Sequence, residues 1–153
     1  MVTTPTHGYV SDGSQSVMYS VLSNDSGVTD ITSNIYDGEP FKVARKYGYP
    51  LVIISPPTFP SEPITQVSWD NSLSQEIVIR TKSQSVLRQL LDQIVRTIIE
   101  NENTFISYNM VNPMINQPVE SNDIYDDEKN QMKVVYGLSI EVFFDVFTSY
   151  YQS

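Results

Sequence analysis

VLRQLLDQIVRTIIE, residues 86–100, sets apolar pairs four residues apart: Val86/Leu87, Leu90/Leu91, Ile94/Val95 and Ile98/Ile99. Arg88, Asp92, Arg96 and Glu100 fill the gaps with charges of alternating sign. Pairs at this spacing make the buried face of an amphipathic helix, and i,i+4 charges make its wet face. Each step of four overshoots the helical repeat by about 40°, so over three steps the apolar stripe drifts roughly 120° around the axis. Such a stripe suits a broad, twisted partner. A coiled-coil seam needs alternating steps of three and four over several heptads, which this segment lacks. It is the one strong helix pattern in the chain, and nearly everything around it reads as strand or loop. The expected fold is therefore α+β: an antiparallel sheet of about four to five strands, one long helix packed on it, and a short N-terminal helix.

Upstream, residues 1–15 are polar and carry Pro5, Gly8 and Gly13, which predicts a flexible arm ahead of a single α+β domain over 16–153. Val17, Met18, Val21 and Leu22 keep helical spacing until Ser23-Asn24-Asp25-Ser26-Gly27 stops them. Ile35-Tyr36-Asp37-Gly38-Glu39-Pro40 is a turn signal. Leu51-Val52-Ile53-Ile54, fenced by Pro50 and Pro56, reads as a strand buried on both faces. Ile64 to Trp69 and Gln75 to Thr81 predict a hairpin around Asp70-Asn71-Ser72, and Ser83 or Ser85 caps the helix that follows.

Downstream, Thr104 to Val111 reads as a strand, and the polar stretch 112–130, with Pro113, Pro118, Asp123, Asp126, Asp127 and Glu128, as an excursion from the body. Val134, Tyr136, Leu138, Ile140, Val142, Phe144 and Val146 alternate as a final strand. Its length, roughly 40 Å at 3.3 Å per residue, requires a bend, a bulge at Gly137 or pairing beyond the domain. Phe143 and Phe147 sit on its polar face, where exposed aromatics beside a long edge call for cover by another subunit.

Composition narrows the chemistry. At 153 residues the chain suits one domain. It has no cysteine, which removes thiol nucleophiles, Cys-based zinc and a disulfide framework. No stretch approaches a membrane span, and MVTTPTHGYVSDG lacks the basic start and apolar core of a signal peptide, so no membrane partner is expected. Nine Lys and Arg against eighteen Asp and Glu give a net charge of −9, which discourages nucleic-acid binding. His7 is the one histidine, so a Ser-His-Asp triad or a histidine-bound metal lacks its parts. Among only six glycines there is no G-x-x-x-x-G-K-S/T or G-x-G-x-x-G cradle. The run Asp123 to Glu128 lacks the spacing of a calcium loop. The expectation is a protein that is not an enzyme and needs no cofactor or metal. Lys42, Arg45 and Lys46, interleaved with Phe41, Tyr47 and Tyr49, form the one local concentration of cations. Aromatics with cations suit a docking surface, so these six and Phe143 and Phe147 are the candidate interface residues. A small α+β module that binds a ligand or peptide at a sheet edge is the alternative.

The order of elements carries a resemblance. A short helix ends at Leu22-Ser23-Asn24-Asp25; Ile35-Tyr36-Asp37-Gly38-Glu39-Pro40 follows; Tyr49-Pro50-Leu51-Val52-Ile53-Ile54 opens a strand; then come a hairpin, the main helix and a closing strand. This resembles the tail-terminator, or tail-completion, proteins of long-tailed bacterial or archaeal viruses, over roughly residues 16–147. Pro40 falls closer to Gly38 than in that outline, and the segments 56–63 and 112–130 are additions to it. The resemblance implies a structural virion protein that assembles as a hexameric ring on the tail tube, ends tail growth and forms the head–tail joining surface. Its implied partners are further copies of itself, the tail tube protein and the head–tail connector, with DNA only passing through the ring. Its implied place is the head-proximal end of the virion tail, and the host cytoplasm during assembly. No catalytic residues come with it.

Overall fold

The last strand in sequence organises the sheet. A computed structural model describes residues 7–38, 48–58, 68–108, 110–126 and 132–149. The helices are α1 (His7–Ser23), α2 (Ser26–Thr29), α3 (Gln84–Glu100) and α4 (Glu102–Ile106). The strands are β1 (Ile35–Asp37), β2 (Leu51–Ile54), β3 (Ser68–Thr81), β4 (Met110–Ile115), β5 (Val119–Asp126) and β6 (Met132–Ser149). The 18-residue β6 pairs with all of β3 along one edge, from Ser68 opposite Ser149 to Thr81 opposite Tyr136. Its other edge is shared end to end by β4 and β5. The order is β1-β2-β3-β6-β4, with β5 beside β6; every pair is antiparallel except β1 with β2.

Six strands stand where the sequence predicts four to five, because the polar stretch 112–130 is not an excursion. Most of it is the end of β4 and the whole of β5, templated by the alternating backbone of β6. Its prolines are accommodated at irregular points. The β4–β6 register shifts between Val111 and Met114, with Asn112 at φ 55°, so Pro113 sits in a bulge; Pro118 lies in the short link to β5. Asn112 Nδ2 donates to Asp145 Oδ2 at 3.2 Å across the bulge. The predicted hairpin at Asp70-Asn71-Ser72 is corrected in the same way. Those residues pair with Phe147, Val146 and Asp145, so β3 runs straight through a local turn signal that a long partner strand overrides. Residues 64–67 lie outside the described residues. The strand predicted over 104–111 begins instead as α4, because Phe105 is fully buried against Phe144, ring centroids 4.9 Å apart. The arm predicted over 1–15 is helical from His7; residues 1–6 lie outside the described residues. No bulge occurs at Gly137, where the register is continuous on both edges.

The helices occupy one face of the sheet. Leu87, Leu90, Ile94 and Ile98 of α3 and Val17, Met18, Val21 and Leu22 of α1 pack on Val52, Ile54, Ile77, Ile79, Ile140 and Val142. Ser83 caps α3, its Oγ accepting from Val86 N at 3.4 Å. Asp25 caps α2, accepting from Val28 N at 3.0 Å, and its carboxylate also accepts from Gln93 Nε2 at 3.1 Å, tying α2 to α3. On the opposite face Leu51, Ile53 and Val78 form a second buried cluster with Tyr36 and Tyr49 at its margin. All four residues of β2 are thus buried, as its unbroken apolar run predicts.

Among the buried polar residues, Gln75 and Ser55 stand out by their incomplete bonding. Gln75 is fully buried; its Nε2 donates to the Ser55 carbonyl at 3.4 Å, while Gln75 Oε1 and Ser55 Oγ have no hydrogen-bond partner among the described residues. An unpaired buried oxygen costs about 1–3 kcal/mol, more than one long hydrogen bond returns. Gln75→Met, similar in shape, should therefore raise the urea midpoint; a lower midpoint would show that the amide is bonded in solution.

Candidate interaction surface

The candidate interface residues fall in two places. Phe41, Lys42, Arg45, Lys46 and Tyr47 lie outside the described residues. Their flanks are held at the β1–β2 side of the sheet: Gly38 N donates to Ile54 O at 3.0 Å, and Asn34 Nδ2 to Gly48 O at 3.3 Å. Tyr49, which enters a cis peptide bond with Pro50, is half-buried beside Leu51 and Ile53. The Lys82 ammonium stands 5.6 Å from its ring centroid, a cation–π contact. Thr32 Oγ1 donates to Pro50 O at 2.8 Å and accepts from Asn34 N at 3.0 Å, fixing the approach to β2.

Phe143 is half-buried on the face of β6 away from the helices, level with Ser74 of β3 and Met114 of β4. Phe147 is paired through its backbone with Asp70; its side chain lies outside the described residues. Tyr49 and Phe143 are not brought together, since Leu51 is level with Arg80 and Phe143 with Ser74, about 20 Å further along β3.

Close to Phe143, Glu76 and Glu141 stand directly opposite. Ser55 N donates to Glu76 O and Asn116 N donates to Glu141 O, so both backbones bond away from each other. That is the closely spaced kind of antiparallel pair, and it sets two carboxylates side by side. Ser139 Oγ donates to Glu76 Oε2 at 2.9 Å. Among the described residues, no three His, Cys, Asp or Glu converge as a metal would need. The backbones of Asp123 and Asp126 are spread along β5 opposite Val135 and Met132; Asp127 and Glu128 lie outside the described residues. No helix among the described residues is long and apolar enough to cross a membrane.

What sequence reasoning missed is the β4–β5 edge. Of the outer members of the helical pairs, Leu91 and Val95 are half-buried at the margin of the core and Ile99 is exposed, in the direction the four-residue spacing drifts. With Ile115 and Pro118 they line an open groove of about 640 Å³, rimmed by Asp92, Arg96, Glu100, Asn116 and Gln117. Ile99 is 60% exposed, and Met114 and Val119, on the other side of the sheet, are 66% and 65% exposed. The drift of the stripe was the signal; the strands beside it were not legible.

No family model matches the chain, and no curated protein does. Among solved structures, the chain is similar to one from the virion of a native gene transfer agent particle. The TM-score is 0.59 at 12% identity, over 90% of this chain and 98% of that one. The likeness shows the fold that the two share.

Proposed function

We propose that this chain is a structural virion protein that caps the tail tube as a ring, ends tail growth and presents the surface that meets the head. The observation that carries the reading is the shared fold, nearly end to end, with a chain of a virion particle. The order of helix, turn, strand and closing helix and strand, already similar to that of tail-terminator proteins, supports the same assignment. In this reading the chain is not an enzyme and holds no cofactor. Its partners are further copies of itself in a hexameric ring, the tail tube protein and the head–tail connector, and DNA passes through the ring. Its place is the head-proximal tail end, reached after assembly in the host cytoplasm.

Deleting the gene should leave heads unjoined and tails of uncontrolled length, and supplying the chain in trans should restore finished particles. Normal particles without it would refute the reading. Within this reading Phe143, Phe147, Tyr49 and the 41–47 segment remain candidate contacts. Phe143→Asp should keep the fold, because the side chain is only half-buried, yet abolish particle completion. A variant that completes particles normally would remove this face from the interface.

The groove beside α3 favours a second reading, a peptide- or ligand-binding module, since its volume is within the range of ligand sites. A library of short apolar peptides that raises the melting temperature in a concentration-dependent way would support it.

A further inference from the structure

Among the described residues, every large apolar side chain left exposed except Tyr19 lies along one side of the molecule: Ile99 on α3, Ile106 on α4, Tyr108 in the turn into β4, Met114, Val119 and Val134. This patch covers both faces of the sheet edge. Ile99 flanks the groove on the helix side with Ile115, while Met114 and Val119 sit on the other side. Among the described residues the outer side of β5 has no partner strand. Because Asn116 N donates to Glu141 O, odd-numbered residues of β6 bond toward β4 and β5, and by the continuous register so do Val119, Ser121, Asp123 and Tyr125 toward β6. Glu120, Asn122, Ile124 and Asp126 therefore turn their N–H and C=O groups outward. The main contacts of the helices with the sheet are to β1 to β4 and β6. An edge that is apolar above and below and open between calls for a partner with two layers, a strand and a helix over it.

We propose that the β4–β5 edge receives the opposite edge of a second copy, its β1 strand and α1 helix, in a head-to-tail contact. This deepens the ring reading above and rests on it. Charge argues against the edge meeting itself. β5 carries Glu120, Asp123 and Asp126 and no cation, so an isologous pair would align acids with acids, whereas β1 has a single acid, Asp37. Among the described residues no strand pairs with the outer side of β1. Val52 N donates to Asn34 O and Gly38 N to Ile54 O, which turns Tyr36 toward β2 and the Ile35 carbonyl and the Asp37 backbone outward, the Ile35 N–H being taken by Ser33 O at 3.0 Å. Above it lies α1, whose exposed described side chains Ser16, Tyr19 and Ser20 are uncharged. Placed beside β5, that helix would cover Leu91, Val95 and Ile99. Repetition of one such contact closes a ring or extends a filament.

The chain has no cysteine of its own, so disulfide mapping is clean. Ser33→Cys is combined in turn with Glu120→Cys, Asn122→Cys and Ile124→Cys, and each variant is oxidised mildly at high protein concentration. At least one double variant should give a ladder of covalent oligomers that no single variant gives. Dimers from a β5 cysteine alone would mean an isologous contact and overturn the proposal, as would monomers from every pair. Ile99→Asp, exposed in the free chain, should leave the denaturation midpoint unchanged while weakening self-association by roughly tenfold or more. Unaltered association would also overturn it. Electron microscopy of the ladder separates the two claims: closed rings support both, and open filaments keep the contact while contradicting the ring.

Discussion

Ile94→Ala and Leu90→Ala should each destabilise the fold by about 2–5 kcal/mol, whereas Ile99→Ala should cost less than about 0.5 kcal/mol. All three residues belong to the same apolar pairs of α3. Leu90 and Ile94 are fully buried against β3 and β6, so truncation removes the transfer energy of the lost methyl groups and leaves a cavity that a sheet on one side and α1 on the other cannot collapse to fill. Ile99 is 60% exposed, and its truncation opens nothing. Urea denaturation of the three variants decides the point. Equal midpoints would mean that the helix presents a different face to the sheet.

Gly137→Val should destabilise by about 1–3 kcal/mol and selectively expose β5. Valine in a strand ordinarily helps, through β-propensity and a less flexible unfolded chain, by under about 1 kcal/mol. Here a Cβ at Gly137 would overlap the backbone carbonyl oxygen of Ser121, its partner in β5. A backbone atom has no rotamer to retreat into, so β5 must shift and its ladder with β6 must lengthen. Hydrogen exchange should show lost protection at Val119, Ser121 and Asp123, whose N–H groups face β6, and little change in β3. A neutral or stabilised variant would show that the strands have room to spare.

Periodicity made α3 and the second half of α1 legible, but not α4 or the start of α1. The paired columns of α3, its Ser83 cap and the doubly buried β2 all follow from residues near one another in sequence. The strands opposite β6 were not legible, since their identity depends on partners 6 to 81 residues away rather than on their own composition. Asp70-Asn71-Ser72 is a turn by local chemistry and a strand by register, and 119–126 is polar yet fully paired. The same cause hid the interaction surface. The drift of the α3 stripe could be computed from its spacing, but whether Leu91, Val95 and Ile99 emerge into solvent or under another element depended on where β4 and β5 lie. The basic and aromatic candidates over 41–49 rested on composition and Phe143 and Phe147 on the alternation of the last strand; of them the structure positions the side chains of Tyr49 and Phe143, on separate parts of one sheet face.

Gold-labelled antibody against this chain, applied to purified particles and viewed by electron microscopy, tests the central claim most directly. The account predicts label at the head–tail junction of finished particles and at one end of tails that lack heads. Label along the tail, on the head, or on no particle at all would contradict it.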